Sequence, residues 1–311
     1  RKRKAYAIDP SDLGNFFHKI MERAMLDYSQ GLFDQDQISS HIRKIAKELL
    51  EEEEQYEAFL TGGAGKYLLE RSLMTLESLL AYIISHSETS QFKPQFFEQS
   101  FMIEEEKYTF RGIIDRVDIL EDHFVAIDYK TGGKSFDLNK VFQGIDLQLM
   151  LYIDGFRAKK PDLYPAGVFY FRLHDPLGDE KKEAQSFLKY DGLFIGEESL
   201  AQAYDPDIGR GLLPLKITKK GDYSKSSKVL DPEQAEKLLE RSRNFARDYV
   251  EDILKGSMEI LPLLDPRGGP GFTRACDSCD FAAICRFDPQ APGGDYSKFE
   301  ELSDREIREV L

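Results

Sequence analysis

The sequence predicts an α/β fold in which helices flank a mixed β-sheet. The stretch from Tyr108 to Lys130 has the alternation of two neighbouring strands joined by the polar turn Glu121-Asp122-His123. Apolar stripes at helical spacing precede these strands. A helix over 139–158 separates the second strand from another apolar strand at 167–172, as in a crossover unit.

The composition favours one large domain with appendages. The chain has 311 residues, 41% of them hydrophobic, and no apolar run approaches the roughly 18 residues of a membrane span. It begins Arg1-Lys2-Arg3-Lys4 without a methionine or an apolar signal region, so we expect a segment of a longer protein without a secretory signal in view. The small number of cysteines favours a reducing compartment such as the cytoplasm. The predicted segments are a helical entry segment (1–90), a core (91–175), a peripheral excursion (176–230), and a long helix with a cysteine tail (231–311).

Net charge is mild evidence against a tight, stand-alone DNA binder. The formal net charge of the chain is −14, whereas the phosphate backbone attracts basic surfaces. A local basic track or a positively charged partner would remove this objection.

The first predicted helix covers residues 9–30. Asp9-Pro10-Ser11-Asp12 is a favourable helix start, and an apolar stripe follows it. The stripe consists of Leu13, Phe16, Phe17, Ile20, Met21 and Ala24. His18 lies beside this stripe. Further helices are predicted over 36–60 and 67–86.

Each of the two central strands carries an aspartate among apolar residues. Alternation places Asp115 on a face with Ile113 and Val117, and Asp128 on a face with Ala126 and Lys130. A buried carboxylate must be paired, hydrogen-bonded or bound to metal. Two carboxylates followed by a lysine suit a hard cation such as Mg²⁺ and a phosphate. By itself the pattern is also that of an ordinary aspartate and lysine at a solvated strand end.

The helix over 139–158 places Gln148 and Tyr152 four residues apart on one face. By itself this spacing is also that of ordinary amphipathic packing. Residues 175–230 are polar and irregular, with a predicted hairpin near 213–228. Asp231-Pro232-Glu233 then starts a helix that extends to about Lys255.

The chain has three cysteines, Cys276, Cys279 and Cys285, spaced C-x₂-C-x₅-C. Clustered thiols of this kind favour a metal over a disulfide framework. Zinc and an iron–sulfur cluster both need a fourth ligand, so the spacing leaves both open.

The ordered motifs resemble the RecB-like branch of the PD-(D/E)XK nucleases. They are the helix residue His18, Gly112-Ile113-Ile114-Asp115, Asp128-Tyr129-Lys130, and Gln148 with Tyr152. The resemblance implies a restriction-endonuclease-like fold. It also implies that His18, Asp115, Asp128 and the Tyr129 backbone carbonyl hold Mg²⁺ or Mn²⁺, with Glu98 on the first strand as a further acidic position.

In this family Lys130 would be catalytic together with Asp115 and Asp128, and Gln148 with Tyr152 would contact DNA or orient the catalytic groups. The cysteine pattern resembles the 4Fe-4S clasp of AddB-type nuclease domains, whose remaining cysteine lies upstream. That resemblance implies an exonuclease acting on a single strand unwound by an AddA-type helicase–nuclease partner during break repair. The alternatives are a catalytically inactive DNA-binding or scaffolding module, a CRISPR-adaptation RecB exonuclease, and a zinc-stabilised interaction domain.

Overall fold

The computed structural model describes residues 10–130, 134–172, 190–208, 212–218, 223–224, 226–267 and 273–311. Within them the helices are α1 Pro10–Ser29, α2 Ile38–Glu52, α3 Gly62–Thr89, α4 Leu138–Phe142, α5 Gln148–Lys159, α6 Glu198–Tyr204, α7 Pro232–Leu254, α8 Ala282–Cys285 and α9 Asp304–Val310. The strands are β1 Lys93–Glu104, β2 Thr109–Leu120, β3 His123–Lys130, β4 Tyr164–Arg172, β5 Tyr190–Ile195, β6 Val229–Leu230, β7 Leu263–Asp265, β8 Thr273–Arg274 and β9 Ser297–Lys298. None of these helices is long and apolar enough to cross a membrane.

The predicted mixed sheet is confirmed. Six strands are ordered β1-β2-β3-β4-β5-β6, with β3–β4 and β5–β6 parallel and the other neighbours antiparallel. The parallel pair β3–β4 is connected through α5, which is the predicted crossover.

The sheet is covered on both faces. Val125 and Ile127 of β3 join the large apolar core that α1, α2 and α3 share. Phe124, on the alternate face of β3, packs on Phe156 of α5 at a ring-centroid distance of 4.7 Å. This two-sided burial explains why β3 is apolar at nearly every position.

Contacts divide the chain into two compact units. One contains residues 1–136 and 148–232, and therefore the main sheet; the other contains 137–147 and 233–311. In the second unit α4, α7 and α9 accompany a small sheet of order β8-β7-β9. There Arg241 of α7 donates to the Phe142 carbonyl at 2.6 Å and stacks on the Phe142 ring.

The single helix predicted over 139–158 is wrong, because the segment forms α4 and α5 with a break between them. Gly144 adopts φ +76°, in the left-handed region that ends helices. A side chain there would also collide with the Phe245 ring, 2.5 Å from the position of a Cβ. The helix predicted over 36–60 likewise ends earlier, at Glu52, and the chain continues as a 3₁₀ helix, Glu54–Phe59.

The segment predicted as a peripheral excursion, 176–230, includes two strands of the main sheet, β5 and β6. Strand β5 pairs with β4 in the main sheet. The Asp191 carboxylate of β5 accepts from the Phe136 amide at 3.0 Å and lies 2.6 Å from Lys228 Nζ. Of the hairpin predicted near 213–228, the structure shows one bridge between Ile217 and Tyr223, and residues 219–222 and 225 lie outside the described part.

A buried ion pair joins the sheet to its surrounding helices. Arg116 and Asp118 of β2 are 1% and 2% exposed, and Arg116 Nε lies 2.8 Å from Asp118 Oδ1. The Arg116 guanidinium also donates to the hydroxyls of Tyr190 at 2.6 Å and Tyr129 at 3.3 Å. Tyr204 of α6 donates to Asp118 at 3.1 Å, so the pair connects β2 with β3, β5 and α6.

We predict that Asp118→Ala lowers the free energy of unfolding by about 3–5 kcal/mol, because it leaves the Arg116 charge buried without its partner. Urea unfolding of the chain measures this. Asp162→Ala, at an exposed position, is the control and should change the free energy by less than about 0.5 kcal/mol. Replacing both partners, as Arg116→Met with Asp118→Leu, should recover part of the loss; equal destabilisation by the single and double changes would contradict this account.

Candidate active site

Three carboxylates lie in one row across β1, β2 and β3. The register of β1 and β2 places Glu98 opposite Asp115. The β2–β3 ladder has its last pair at Arg116 and Ile127, so Asp115 and Asp128 are the next opposed residues. The row therefore forms where β2 and β3 stop pairing.

His18 of α1 completes one side of this row. Its Nδ1 lies 3.2 Å from Asp115 Oδ1 and 3.7 Å from Glu98 Oε1. The ligand atoms of the three residues all lie within 4.8 Å of one another, and no other such group occurs in the described part of the chain. Glu98 has φ +45°, a strained value for this residue type, and strain of this kind concentrates at functional sites.

Asp115 is 7% exposed, and its second oxygen accepts a hydrogen bond from the Tyr129 amide. Burial raises the pKa of Asp115, with a further rise from the charge of Asp128, while the bonds from His18 and Tyr129 oppose it. The two aspartates therefore sense each other electrostatically. The Tyr129 carbonyl, predicted as a metal ligand, stays a prediction.

Burial and hydrogen bonding shift the pKa of His18 in opposite directions. Burial lowers the pKa of His18, but hydrogen bonds to Asp115 and Glu98 outweigh it and raise the pKa to about 10. At neutral pH the metal-free site therefore holds a proton on the imidazole, where a metal ligand would have to be neutral.

Asp128 is held by a second set of side chains. Its Oδ1 accepts from Gln148 Nε2 at 3.0 Å and from the Tyr152 hydroxyl at 2.9 Å. Lys130 Nζ lies 2.7 Å from the other oxygen, and Asp128 is 2% exposed. Burial raises the pKa of Tyr152, so the hydroxyl keeps its proton and remains a donor.

Gln148 and Tyr152 owe this role to their place on α5. Gln148 is the first residue of the helix and Tyr152 follows one turn later, so both reach the same carboxylate. Gln148 Nε2 also donates to the Tyr152 hydroxyl at 2.8 Å. Lys134, which the sequence did not single out, donates to Gln148 Oε1 at 3.0 Å.

These donors fit a hard divalent cation. Carboxylate oxygens are the ligands of Mg²⁺ and Mn²⁺, and one imidazole nitrogen is compatible with Mn²⁺ in particular. His18, Glu98 and Asp115 already surround one point, and Asp128 stands opposite Asp115 in the row. The buried charges of this row would be compensated by such an ion.

Sequence patterns did not reveal the support behind the site. Tyr129 holds Asp115 through its amide, and its hydroxyl is bound by the Arg116 guanidinium on the opposite face of the sheet. The available sign was Arg116-Val117-Asp118, two more charges directly after Asp115 in an apolar strand. Their partner tyrosines, Tyr190 and Tyr204, are far away in sequence.

The three cysteines are free and partly or fully exposed, and the described side chains do not gather into a group with metal-ligand spacing. Cys276 lies in the 3₁₀ turn Ala275–Ser278, and Cys285 ends α8. Three thiols fall one short of a tetrahedral zinc or iron–sulfur site. The predicted cluster therefore stays a prediction.

Comparison with known proteins assigns the chain to a family. Residues 1–286 match the PD-(D/E)XK nuclease superfamily. The chain belongs to the PD-(D/E)XK nuclease superfamily. The fold class expected from the motifs, with a mixed sheet and flanking helices, is confirmed in the same way.

Relatives named as the B subunit of an ATP-dependent helicase/deoxyribonuclease resemble the whole chain. Those of Alkaliphilus oremlandii and Clostridium novyi are each 29% identical over 100% of this chain, and that of Thermoanaerobacter pseudethanolicus is 28% identical over 100%. The predicted resemblance to AddB-type nuclease domains is thereby confirmed. The chain spans 30% of the length of these relatives.

We predict that metal binding releases a proton from His18. Because the proton must leave before the imidazole can bind a cation, the apparent association constant for Mn²⁺ should rise with pH, by up to about tenfold per unit below the His18 pKa. Titration calorimetry between pH 6.5 and 8.5 measures this. His18→Gln should flatten the pH dependence, and equal slopes for the two proteins would contradict a displaced proton.

Proposed function

We propose that the chain is a divalent-metal-dependent deoxyribonuclease that hydrolyses phosphodiester bonds as an exonuclease. The observation that carries the proposal is the row of Glu98, Asp115 and Asp128 with His18 at one end and Lys130 beside Asp128. Membership of a nuclease superfamily and the deoxyribonuclease in the relatives' name support the reaction class.

The chain's own residues divide the work. His18, Glu98, Asp115 and Asp128, with the Tyr129 carbonyl, would hold a Mg²⁺ or Mn²⁺ ion. When bound, such an ion supplies positive charge to a phosphate oxygen and lowers the pKa of a coordinated water. Water attacks phosphorus, and the P–O bond to the leaving nucleotide breaks.

Lys130 is placed to assist that attack. Its ammonium group is 2.7 Å from Asp128 Oδ2 and the side chain is 24% exposed, so it can reach both a water and a phosphate oxygen. There it would orient the water and stabilise the charge that develops on the phosphate oxygens. Gln148 and Tyr152 keep Asp128 in one orientation, so they are positioning residues, and Gln148, which is half-buried, could also touch DNA.

The proposed context is a helicase–nuclease. The relatives' name joins an ATP-dependent helicase to a deoxyribonuclease. We propose that the substrate is a single strand from a duplex unwound by an AddA-type partner during break processing and recombinational repair. The motif set in this chain is complete, which favours an enzyme over an inactive module of the same fold.

We also propose that Cys276, Cys279 and Cys285 supply three ligands of a 4Fe-4S cluster. Four thiolates usually hold such a cluster, and this chain has three cysteines, so the fourth ligand would come from another residue type or another segment. The exposure of Cys279 and Cys285 is compatible with such a shared site.

We predict that Lys130→Ala lowers the rate of Mg²⁺-dependent digestion of end-labelled single-stranded DNA by about 100-fold or more, because the developing phosphate charge loses its donor. Lys66→Ala, at an exposed residue of α3, is the matched control and should digest normally. Circular dichroism checks that both variants are folded. A closed circular single strand should resist the wild-type chain, as an exonuclease requires an end.

Wild-type chain that binds the same DNA but never cleaves it would favour the inactive binding module instead. Full activity in Lys130→Ala would remove the lysine from the mechanism. Cleavage of the closed circle would show an endonuclease.

For the cysteines, we predict visible absorption with stoichiometric iron and acid-labile sulfide in protein purified without oxygen. Cys279→Ser should lower the iron content, because it removes one thiolate ligand. Zinc without sulfide would indicate a zinc site instead of the cluster. Protein that contains neither iron nor zinc would contradict both kinds of site.

A further inference from the structure

We propose that the β1–β2 ribbon beyond the acidic row is a groove that binds single-stranded DNA, with Arg111 and Lys159 meeting phosphates and Met102 and Ile113 meeting unpaired bases. This inference rests on the proposed nuclease function and adds the path along which the substrate strand approaches the site. It concerns residues outside the proposed catalytic set.

Strand register connects the groove to the site. Ser100 pairs with Ile113 and Met102 with Arg111, each two residues further along the ribbon than the preceding pair. The pair before them is Glu98 and Asp115. At about 3.3 Å per residue, Arg111 lies about 13 Å along the strand from Asp115. That distance equals a few nucleotides at the roughly 3.4 Å rise of a stacked strand.

The groove has a volume of about 620 Å³. Its lining residues are Ser100, Phe101, Met102, Arg111, Gly112, Ile113 and Lys159. Met102 and Ile113 are 45% and 49% exposed, and both line the groove, so they present apolar surface together. Exposed apolar groups of this kind suit the faces of bases, which a duplex hides within its stack.

The charges in the groove complement a phosphate backbone. The Arg111 side chain is exposed and makes no hydrogen bond or ion pair with the described residues. Lys159 Nζ donates to the Ser100 carbonyl at 2.6 Å, which holds the ammonium group over β1 with donors to spare. Among the described lining residues there is no carboxylate, although the chain as a whole carries −14. Glu104, which pairs with Thr109 at the end of the β1–β2 ladder, lies two residues beyond Met102 and is not among the lining residues.

The floor of the groove is tied to the acidic row. A Cβ at Gly112 would lie 2.5 Å from the Phe101 ring, so the glycine allows that ring to lie flat against β2. Phe101 is 6% exposed and meets the Tyr152 ring edge-on at 5.9 Å. Tyr152 in turn holds Asp128, so the ring beneath the groove also contacts a side chain of the proposed site.

The test is fluorescence anisotropy of labelled oligothymidine with the whole chain, with Ca²⁺ in place of Mg²⁺. Arg111→Glu should weaken binding about tenfold or more and lower the slope of log K against log salt by about one, because one phosphate contact is lost. Lys66→Glu makes the same charge change on α3 and should weaken binding less than about twofold. Arg111→Lys keeps the positive charge and should retain most of the wild-type affinity. Ile113→Ser should weaken binding about threefold or more without changing the salt slope.

Equal weakening by Arg111→Glu and Lys66→Glu would overturn the groove. Equal effects of Arg111→Glu on duplex and single-stranded DNA would overturn the single-strand assignment. Mn²⁺ affinity should be unchanged in Arg111→Glu, and a loss there would point to a damaged site rather than a lost contact. If the wild-type chain never cleaves yet loses DNA binding through Arg111→Glu, the nuclease proposal fails and the groove stands.

Discussion

Burial of charge in β2 governs how the surrounding helices and strands are arranged. Asp115, Arg116 and Asp118 are all less than 10% exposed, and a buried charge is tolerated only with partners. Asp115 obtains them from His18 of α1 and the Tyr129 amide of β3. Arg116 and Asp118 obtain them from each other and from the tyrosine hydroxyls of β3, β5 and α6. One strand thus fixes the helices and strands on both of its sides.

The same arrangement divides the candidate site into two halves. His18, Glu98 and Asp115 form one half, and Asp128 with Lys130 forms the other, held by α5. Tyr129 lies between the halves in sequence and touches the first through its amide. In the metal-free protein a proton on His18 compensates the first half and the Lys130 ammonium compensates the second. A divalent cation would take over part of that compensation, which is why metal and proton are expected to compete.

Net charge is a poor guide to the substrate here. The −14 of the chain is a sum over its whole surface, including carboxylates such as Glu48 and Glu51 of α2, whose side chains are 44% and 68% exposed. Electrostatic attraction at contact distance depends on the local surface, because charges beyond about 10 Å are screened at ordinary salt. Two cations in a groove without carboxylates can therefore attract a phosphate strand to an acidic protein.

Local patterns in the sequence predicted the mixed sheet with its crossover, and the ordered motifs predicted the family. The resemblance to that family then implied the proposed site residues His18, Asp115, Asp128, Lys130, Gln148 and Tyr152. Motif spacing, strand alternation and helical stripes each involve residues close together in the chain, so they can be recognised from the sequence alone. Three-dimensional packing was needed to show that Glu98 stands opposite Asp115, that β5 completes the sheet, and that Arg116 and Asp118 are buried. It also revealed the break at Gly144, where the Phe245 ring occupies the space of a side chain. Register, burial and ring packing join residues far apart in the chain, and no local pattern encodes which distant partner will satisfy a given charge.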